Sequence, residues 1–174
     1  MGCLFCIRPS NILERIFYED KKLGWFAFLN APPHTRGHAI IAAIGQEDKC
    51  PLEFDQRIHN LGPALCDVVQ AIRECYVPHI KDVLFSSLRG EIKHFHLHLL
   101  PLWPDEEKRW REVTGYHDSH LMEFMGSLEK KHDFLLLERA ARGESEDRQH
   151  LESTQELTGD VQALRRITGY SLLA

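Results

Sequence analysis

The stretch KHFHLHLLP, residues 93 to 101, places a histidine at every second position of an otherwise apolar run. Successive residues of a strand point to opposite faces, so a strand here would put His94, His96 and His98 on one face. The residues that share the other face are apolar: Phe95, Leu97 and Leu99. Three buried imidazoles need three sets of hydrogen-bond partners. The pattern therefore indicates chemistry on one face of the strand and core packing on the other.

Composition limits the classes of protein to consider. The chain has 174 residues, 43% of them hydrophobic and 27% charged, with a formal net charge of -5. These values predict an ordinary soluble globular protein with one core and a tail. The mildly acidic balance disfavours nucleic acid as a partner. We find no apolar run near the roughly 20 residues that cross a bilayer and no secretory signal, so we expect a cytoplasmic protein without a membrane partner.

Hydrophobic patterning predicts five strands and one main helix. The strands are predicted at residues 15–20, 24–30, 38–44, 82–88 and 94–101. Apolar residues recur at three- and four-residue intervals from Phe54 to Ile72, which predicts the helix. Pro63 interrupts this pattern and predicts either a kink or a late start of the helix.

The sequence changes character after Pro104. Residues 121–141 have helical periodicity in parts, and the charged stretch 142–150 predicts a loop or linker. Ser153 stands three residues before Glu156, a capping-box pattern that could open a final helix through residues 160–167. We therefore predict a catalytic domain over residues 1–110 and a helical C-terminal extension over residues 111–174.

The run from His94 to Leu100 is similar to the signature of the histidine triad (HIT) superfamily of nucleotide hydrolases and transferases. Further features agree with the family in order and spacing: Cys3 with Cys6, Asn30 at the end of a strand, and Gly37 with His38. The resemblance covers residues 3 to 102. It implies a HIT-like α+β fold with a five-stranded antiparallel sheet, a main helix packed on that sheet and, usually, a homodimer.

The resemblance also implies a reaction at the α-phosphorus of a nucleoside phosphate, through a covalent nucleotidyl-histidine intermediate. His96 would be the nucleophile, because a neutral imidazole attacks without first losing a proton when its other nitrogen is held as a donor. His98 would contact the phosphate, and His38 would lie behind His96 in a supporting position. Asn30 would contact the ribose. A turn or cap role for Asn30 and a core role for His38 stay open.

The start of the chain raises a metal question. Cys3 and Cys6 have a C-x-x-C spacing, and an odd total of five cysteines argues against a disulfide framework. In zinc-bearing members of the family the first triad histidine completes part of a zinc site, which points to His94. The family's further histidine is missing here, and Cys50 is the nearest strong ligand. Cys3, Cys6, Cys50 and His94 could hold structural zinc, or the thiols could be ordinary ones in a degenerate site.

A second departure from the family lies just before the triad. Many members carry a Gln and a Ser or Thr there that contact the phosphate or the leaving group, whereas this chain has Glu91 and Ile92. A carboxylate near a phosphate is repulsive unless it is paired or protonated. The specificity for the leaving group therefore stays open.

The aromatic residues Trp103 and Trp110 could line a pocket, although packing is the commoner role of such rings.

Three classes of function remain. The first is an enzyme that hydrolyses a nucleoside phosphoramidate or a dinucleoside polyphosphate, with a nucleotidyltransferase as the variant that uses another acceptor. The second is a non-catalytic nucleotide-binding regulatory module. The third, from outside the family, has His94 and His96 as neighbouring ligands of a catalytic zinc ion with water as the nucleophile.

Overall fold

The computed structural model describes residues 3–31, 36–45, 59–86, 94–104 and 146–171, and in the last range it describes side chains from residue 155 onward. The described elements, in chain order, are α1 (Leu4–Ile7), α2 (Ser10–Leu13), β1 (Ile16–Asp20), β2 (Trp25–Leu29), β3 (Ala39–Ala43), α3 (Leu61–Tyr76), β4 (Asp82–Ser86), β5 (His96–Leu102) and α4 (Glu146–Thr168). The strands form a five-stranded antiparallel sheet in the order β1-β2-β3-β5-β4. The predicted α+β fold is confirmed.

Alternate residues of the central strands face two different hydrophobic clusters. The odd-numbered residues of β2 and β3 lie in the main core with Leu97 and Leu99 of β5 and the buried faces of α3 and α4. The even-numbered residues of β2 and β3 lie in a second cluster, the N-terminal cluster, with Phe5, Ile12 and Ile16. This alternation follows from the two-residue period of a strand. The same parity puts Leu97 and Leu99 in the main core and His96 and His98 on the opposite face of β5.

The main helix starts late, as Pro63 predicted. α3 begins at Leu61, so Pro63 lies in the first turn, where its missing N–H costs no helical hydrogen bond. Residues 54–58, which the periodicity assigned to this helix, lie outside the described residues. The residues of α3 that face the main core are spaced by three and four positions: Ala64, Val68, Ala71, Ile72 and Tyr76.

The C-terminal helix is longer than predicted. α4 begins at Glu146, so the loop predicted for residues 142–150 is wrong from residue 146, and Ser153 lies inside the helix and not at its cap. The stretch from residue 146 to 152 is rich in Glu, Arg, Gln and Leu, and their helix propensity outweighs the local charge density on which the loop prediction rested. The predicted domain boundary at residues 110 and 111 and the predicted helical stretch 121–141 lie outside the described residues.

The C-terminal half of α4 packs on the sheet. Val161 and Leu164 are buried in the main core. At the outer edge of the sheet, Nε of Arg165 donates to the carbonyl oxygen of Ile16 at 2.8 Å, and the Thr168 hydroxyl donates to the carbonyl oxygen of Phe17. These bonds cap carbonyl groups of β1 that would otherwise be open to pairing with another strand. None of the described helices combines the length and the apolarity that a bilayer-spanning segment requires.

Candidate functional site

His96 stands at the start of β5 with its ring almost fully buried, at 6% exposure. Its Nδ1 lies 2.6 Å from the carbonyl oxygen of His94. A carbonyl oxygen can only accept, so Nδ1 carries the proton and Nε2 keeps its lone pair. Burial lowers the pKa of His96 below its usual value, and the bond to the His94 carbonyl opposes that shift only in part. His96 is therefore a neutral imidazole with a defined tautomer near neutral pH.

A chain of hydrogen bonds connects Asn30, His38 and His98. The side-chain nitrogen of Asn30 lies 3.3 Å from Nδ1 of His38. An amide nitrogen only donates, so Nδ1 of His38 accepts and its Nε2 carries the proton. That Nε2 lies 2.8 Å from Nδ1 of His98 and donates to it. A neutral His98 then carries its own proton on Nε2, where it is a hydrogen-bond donor.

Strand pairing explains why these imidazoles meet. β3 and β5 are antiparallel neighbours in which Ile40 pairs with His98 and Ala42 pairs with His96. His38, two residues before Ile40, lies on the same face of the sheet. The rings of His38 and His98 have centroids 5.1 Å apart, and so do the rings of His96 and His98. The sheet thus brings together three of the predicted site residues, with His38 against His98.

The predicted metal ligands Cys3, Cys6 and His94 also come together. The two sulfur atoms lie 3.4 Å and 3.5 Å from Nδ1 of His94, and the three candidate ligand atoms lie within 4.8 Å of one another. Zn–S bonds of about 2.3 Å and a Zn–N bond of about 2.0 Å at a tetrahedral angle would separate S and N by roughly 3.5 Å. The described ligand atoms fit a zinc ion on this measure. Cys50, the fourth predicted ligand, lies outside the described residues.

The second nitrogen of His94 explains its orientation. Nε2 lies 2.7 Å from the carbonyl oxygen of Ala43, the last residue of β3. Nε2 must donate to that carbonyl, so the lone pair of His94 is on Nδ1, the atom that faces the two sulfurs. A carbonyl that orients a histidine in this way is the usual outer partner of a metal-binding imidazole. The tautomer of His94 therefore suits metal binding at Cys3 and Cys6.

Sequence reasoning missed Phe5. Its ring is buried in the N-terminal cluster and contacts two of the triad rings edge-on, with centroids 5.4 Å from His94 and 5.1 Å from His96. The one signal in the sequence is that an aromatic residue lies between the two cysteines of the C-x-x-C spacing. Phe5 forms one wall of both the cysteine cluster and the His96 site.

The remaining predicted residues are placed as follows. Trp103 contacts Tyr76 edge-on, with centroids 5.6 Å apart, and its indole N–H donates to the carbonyl oxygen of Arg36 at 3.0 Å. These are packing contacts, the commoner of the two roles considered for this ring. Glu91 and Trp110 lie outside the described residues.

Comparisons with known proteins place this fold. No protein-family model matches the sequence, and no curated protein matches it. A search of solved structures returns histidine triad proteins. A Hit-like protein involved in cell-cycle regulation from Bartonella henselae superposes with a TM-score of 0.50 at 13% identity, covering 88% of this chain and 85% of that one.

Two further structures have TM-scores below one half. A HIT family protein from Bacillus anthracis gives 0.49 at 20% identity, over 75% of this chain and 98% of that one. A zinc-bound histidine triad family protein from Mycobacterium smegmatis gives 0.46 at 21% identity, over 59% and 76%. Identities this low are evidence for the fold alone. The sheet order, the helix packed on the sheet and the superposition on the Bartonella protein all indicate the same fold. The chain has the histidine triad fold.

Proposed function

We propose that the protein is a nucleotide hydrolase that acts at the α-phosphorus of a nucleoside phosphoramidate or a dinucleoside polyphosphate, with His96 as the nucleophile. The observation that carries this proposal is the 2.6 Å bond from Nδ1 of His96 to the His94 carbonyl oxygen. Together with burial, it supports a neutral imidazole whose Nε2 lone pair is available for attack. A site that only binds nucleotides has no need of an imidazole held in this state.

The proposed reaction has two steps. In the first, Nε2 of His96 forms a bond to the α-phosphorus while the bond from phosphorus to the leaving oxygen or nitrogen breaks, and the leaving group departs with the electron pair. A leaving oxygen departs as a phosphate anion, whereas a leaving nitrogen also takes up a proton from solvent and departs as an amine. In the second, a water molecule attacks the phosphorus, the N–P bond breaks and its electron pair returns to Nε2. The products are a nucleoside monophosphate and the regenerated imidazole, and the water's proton passes to solvent.

His98 and Asn30 have supporting roles in this proposal. A neutral His98 that accepts from His38 at Nδ1 can donate from Nε2 to an oxygen of the reacting phosphate. His38 then acts through His98 by holding its tautomer. Asn30 donates one amide N–H to His38, so a contact with the ribose would use the amide oxygen or the second amide N–H.

We propose structural zinc at Cys3, Cys6 and His94, with Cys50 as the predicted fourth ligand. The support is the distance fit of the three described ligand atoms and the tautomer of His94. The contacts of the two His94 ring nitrogens also argue against a catalytic zinc ion shared by His94 and His96. His94 has one nitrogen available to a metal, and that nitrogen faces the sulfur atoms of Cys3 and Cys6.

Two alternatives use the same residues differently. A nucleotidyltransferase would form the same intermediate on His96 and pass it to an acceptor other than water. A regulatory module would bind the nucleotide without turnover. The expected homodimer is also part of the proposal, and light scattering coupled to size-exclusion chromatography tests it.

The deciding experiment looks for the covalent intermediate. A His98→Ala variant, slowed at the neighbour of the nucleophile, is incubated with adenosine phosphoramidate and with diadenosine polyphosphates, and its intact mass is measured. We expect an adenylyl adduct that disappears in the His96→Ala/His98→Ala double variant. Turnover by the wild-type protein without any adduct, or an adduct that survives loss of His96, would contradict the covalent mechanism. Nucleotide binding with neither turnover nor adduct would favour the regulatory module.

A further inference from the structure

The loop residue Arg36, two positions before His38, is bound to the C-terminal helix. Its Nε donates to Oδ2 of Asp160 at 3.1 Å and its Nη2 donates to Oδ1 at 2.9 Å. The Asp160 carboxylate is 10% exposed, whereas the Arg36 side chain is 51% exposed. These hydrogen bonds raise the pKa of Arg36, although burial opposes them. A bidentate pair with a buried carboxylate restrains both the position and the orientation of the guanidinium.

Two aromatic residues hold the same loop from other sides. The indole N–H of Trp103 donates to the carbonyl oxygen of Arg36 at 3.0 Å. The guanidinium carbon of Arg36 lies 5.9 Å from the ring centres of both Tyr76 and Trp103. Tyr76 is the last residue of α3, and Trp103 directly follows β5, the strand that carries His98. Arg36 is therefore bound to α3, to α4 and to the end of β5.

Gly37 lies between Arg36 and His38 and packs against Tyr76. Its φ is +78°, in the left-handed region that favours glycine. A Cβ at this position would lie 2.5 Å from Cε2 of Tyr76, so the backbone of Gly37 packs directly against that ring. This close contact leaves the backbone little room to move between Arg36 and His38.

We propose that Asp160 is a positioning residue of the site: through Arg36 and Gly37 it holds His38 against His98. α4 then helps to set the geometry of the His38 and His98 rings. It does so across a long sequence separation, because Asp160 and Arg36 are 124 positions apart. The effect on turnover rests on the proposed function. The effect on the His38 and His98 rings does not.

The test measures the histidine rings directly. Two-bond proton–nitrogen NMR correlations on the full-length protein report the tautomer and protonation of each imidazole. In Asp160→Asn we expect changed ring-nitrogen shifts for His38 and His98, while the shifts of His96 stay as in the wild type. Asp82→Asn is the matched control, because it removes the carboxylate of another Asp–Arg pair, Arg73–Asp82, on the edge strand. It should leave all three rings unchanged.

A second variant keeps the proposal testable if Asp160→Asn does not fold. Arg36→Gln removes the same ion pair from the half-exposed side, and it should change the same two rings. The double variant Arg36→Gln/Asp160→Asn should change them no further than Arg36→Gln alone, because Arg36→Gln already removes the ion pair. Unaltered His38 and His98 spectra in both folded variants would overturn the proposal. Equal changes at His96 would also overturn it, because they would indicate general loosening.

Kinetics provides the separate readout. A displaced supporting imidazole should lower kcat by about tenfold to a hundredfold and leave KM nearly constant, because ground-state contacts to the nucleotide persist. A rise in KM alone would contradict the positioning role. If the protein has no turnover while the ring shifts change as expected, the proposed function fails and the structural role of Asp160 stands.

Discussion

The two faces of the sheet differ in what covers them. The face of the main core is packed by α3 and α4, helices of 16 and 23 residues. The face with the histidines is covered, among the described residues, by the short helices α1 and α2 of four residues each and by Tyr170. The first arrangement buries continuous apolar surface. The second leaves imidazoles within reach of hydrogen-bond partners.

The buried polar groups of the two faces also differ. On the histidine face His38, His94 and His96 are all buried, and each has a described hydrogen-bond partner at a ring nitrogen. On the main-core side the buried acidic group Asp160 pairs with Arg36 at the margin of the core. Buried polar groups cost free energy unless they are paired, so the histidine face keeps its chemistry only through these specific bonds.

The largest effect should come from removing His96, the proposed nucleophile on the histidine face. We expect His96→Ala to lower turnover by on the order of a thousandfold or more, because no other described group replaces the Nε2 lone pair. Circular dichroism should show that the fold is retained. His79→Ala, which removes an exposed imidazole after α3, is the control. Turnover of His96→Ala within tenfold of the wild type would place the chemistry elsewhere.

The opposite face should respond in stability and not in mechanism. Leu99, on the same strand, is fully buried in the main core, and Leu99→Ala should lower the free energy of unfolding by about 2–5 kcal/mol. Urea unfolding measures that loss. Turnover per folded molecule should stay close to the wild-type value. A large loss of turnover in fully folded Leu99→Ala would show that the two faces are not separable.

Removal of metal should lower the stability of the protein through the cluster of Cys3, Cys6 and His94. Zinc at a hundred times its Kd should stabilise the wild-type protein by about 2.7 kcal/mol if the unfolded chain does not bind it, and a chelator should reverse this. Cys3→Ser should abolish the gain. Cys66→Ser is the control, because that thiol is exposed on α3. An equal gain in stability for the wild type and for Cys3→Ser would exclude this cluster as the zinc site.

The smallest effect is expected at the sheet edge, away from both faces. The backbone N–H of Val83 and then Arg73 lower the pKa of Asp82 below its ordinary value of 3.8. A carboxylate with a lowered folded-state pKa adds stability above the unfolded pKa, and that stability is lost as the pH falls through the folded pKa. Because Asp82 is exposed, Asp82→Asn should cost only a few tenths of a kcal/mol at pH 7.

This difference should vanish in acid. Urea unfolding of the wild type and of Asp82→Asn at a series of pH values measures it. The two stability curves should converge as the pH falls below about 4, where the carboxylate becomes protonated. A difference that grows in acid would show that the sign of the shift is wrong.

Much of the fold was predictable, and the errors have local causes. Hydrophobic patterning predicted the five strands, and period-two alternation predicted the two faces of β5. Pro63 predicted a kink or a late start of the main helix, and α3 has the late start. His94 was assigned to β5, although the strand begins at His96. The start of α4 was predicted wrongly because the charge density of residues 142–150 indicated a loop. The helix propensity of the residues from Glu146 onward outweighed that charge density. Phe5 was missed because a residue between two cysteines gives no sign of the ring it will contact.

The sequence by itself determined the candidate site residues and the face of β5 on which the triad histidines lie. It could do so because the two-residue period is a property of the backbone and needs no distant partner. Only the tertiary structure decided which ring nitrogens carry a proton and which residues far apart in the sequence come into contact. Nδ1 of His94 meets sulfur atoms 91 and 88 residues away, and Arg36 meets a carboxylate 124 residues away. Such contacts depend on how the helices pack on the sheet, and no local pattern encodes that packing.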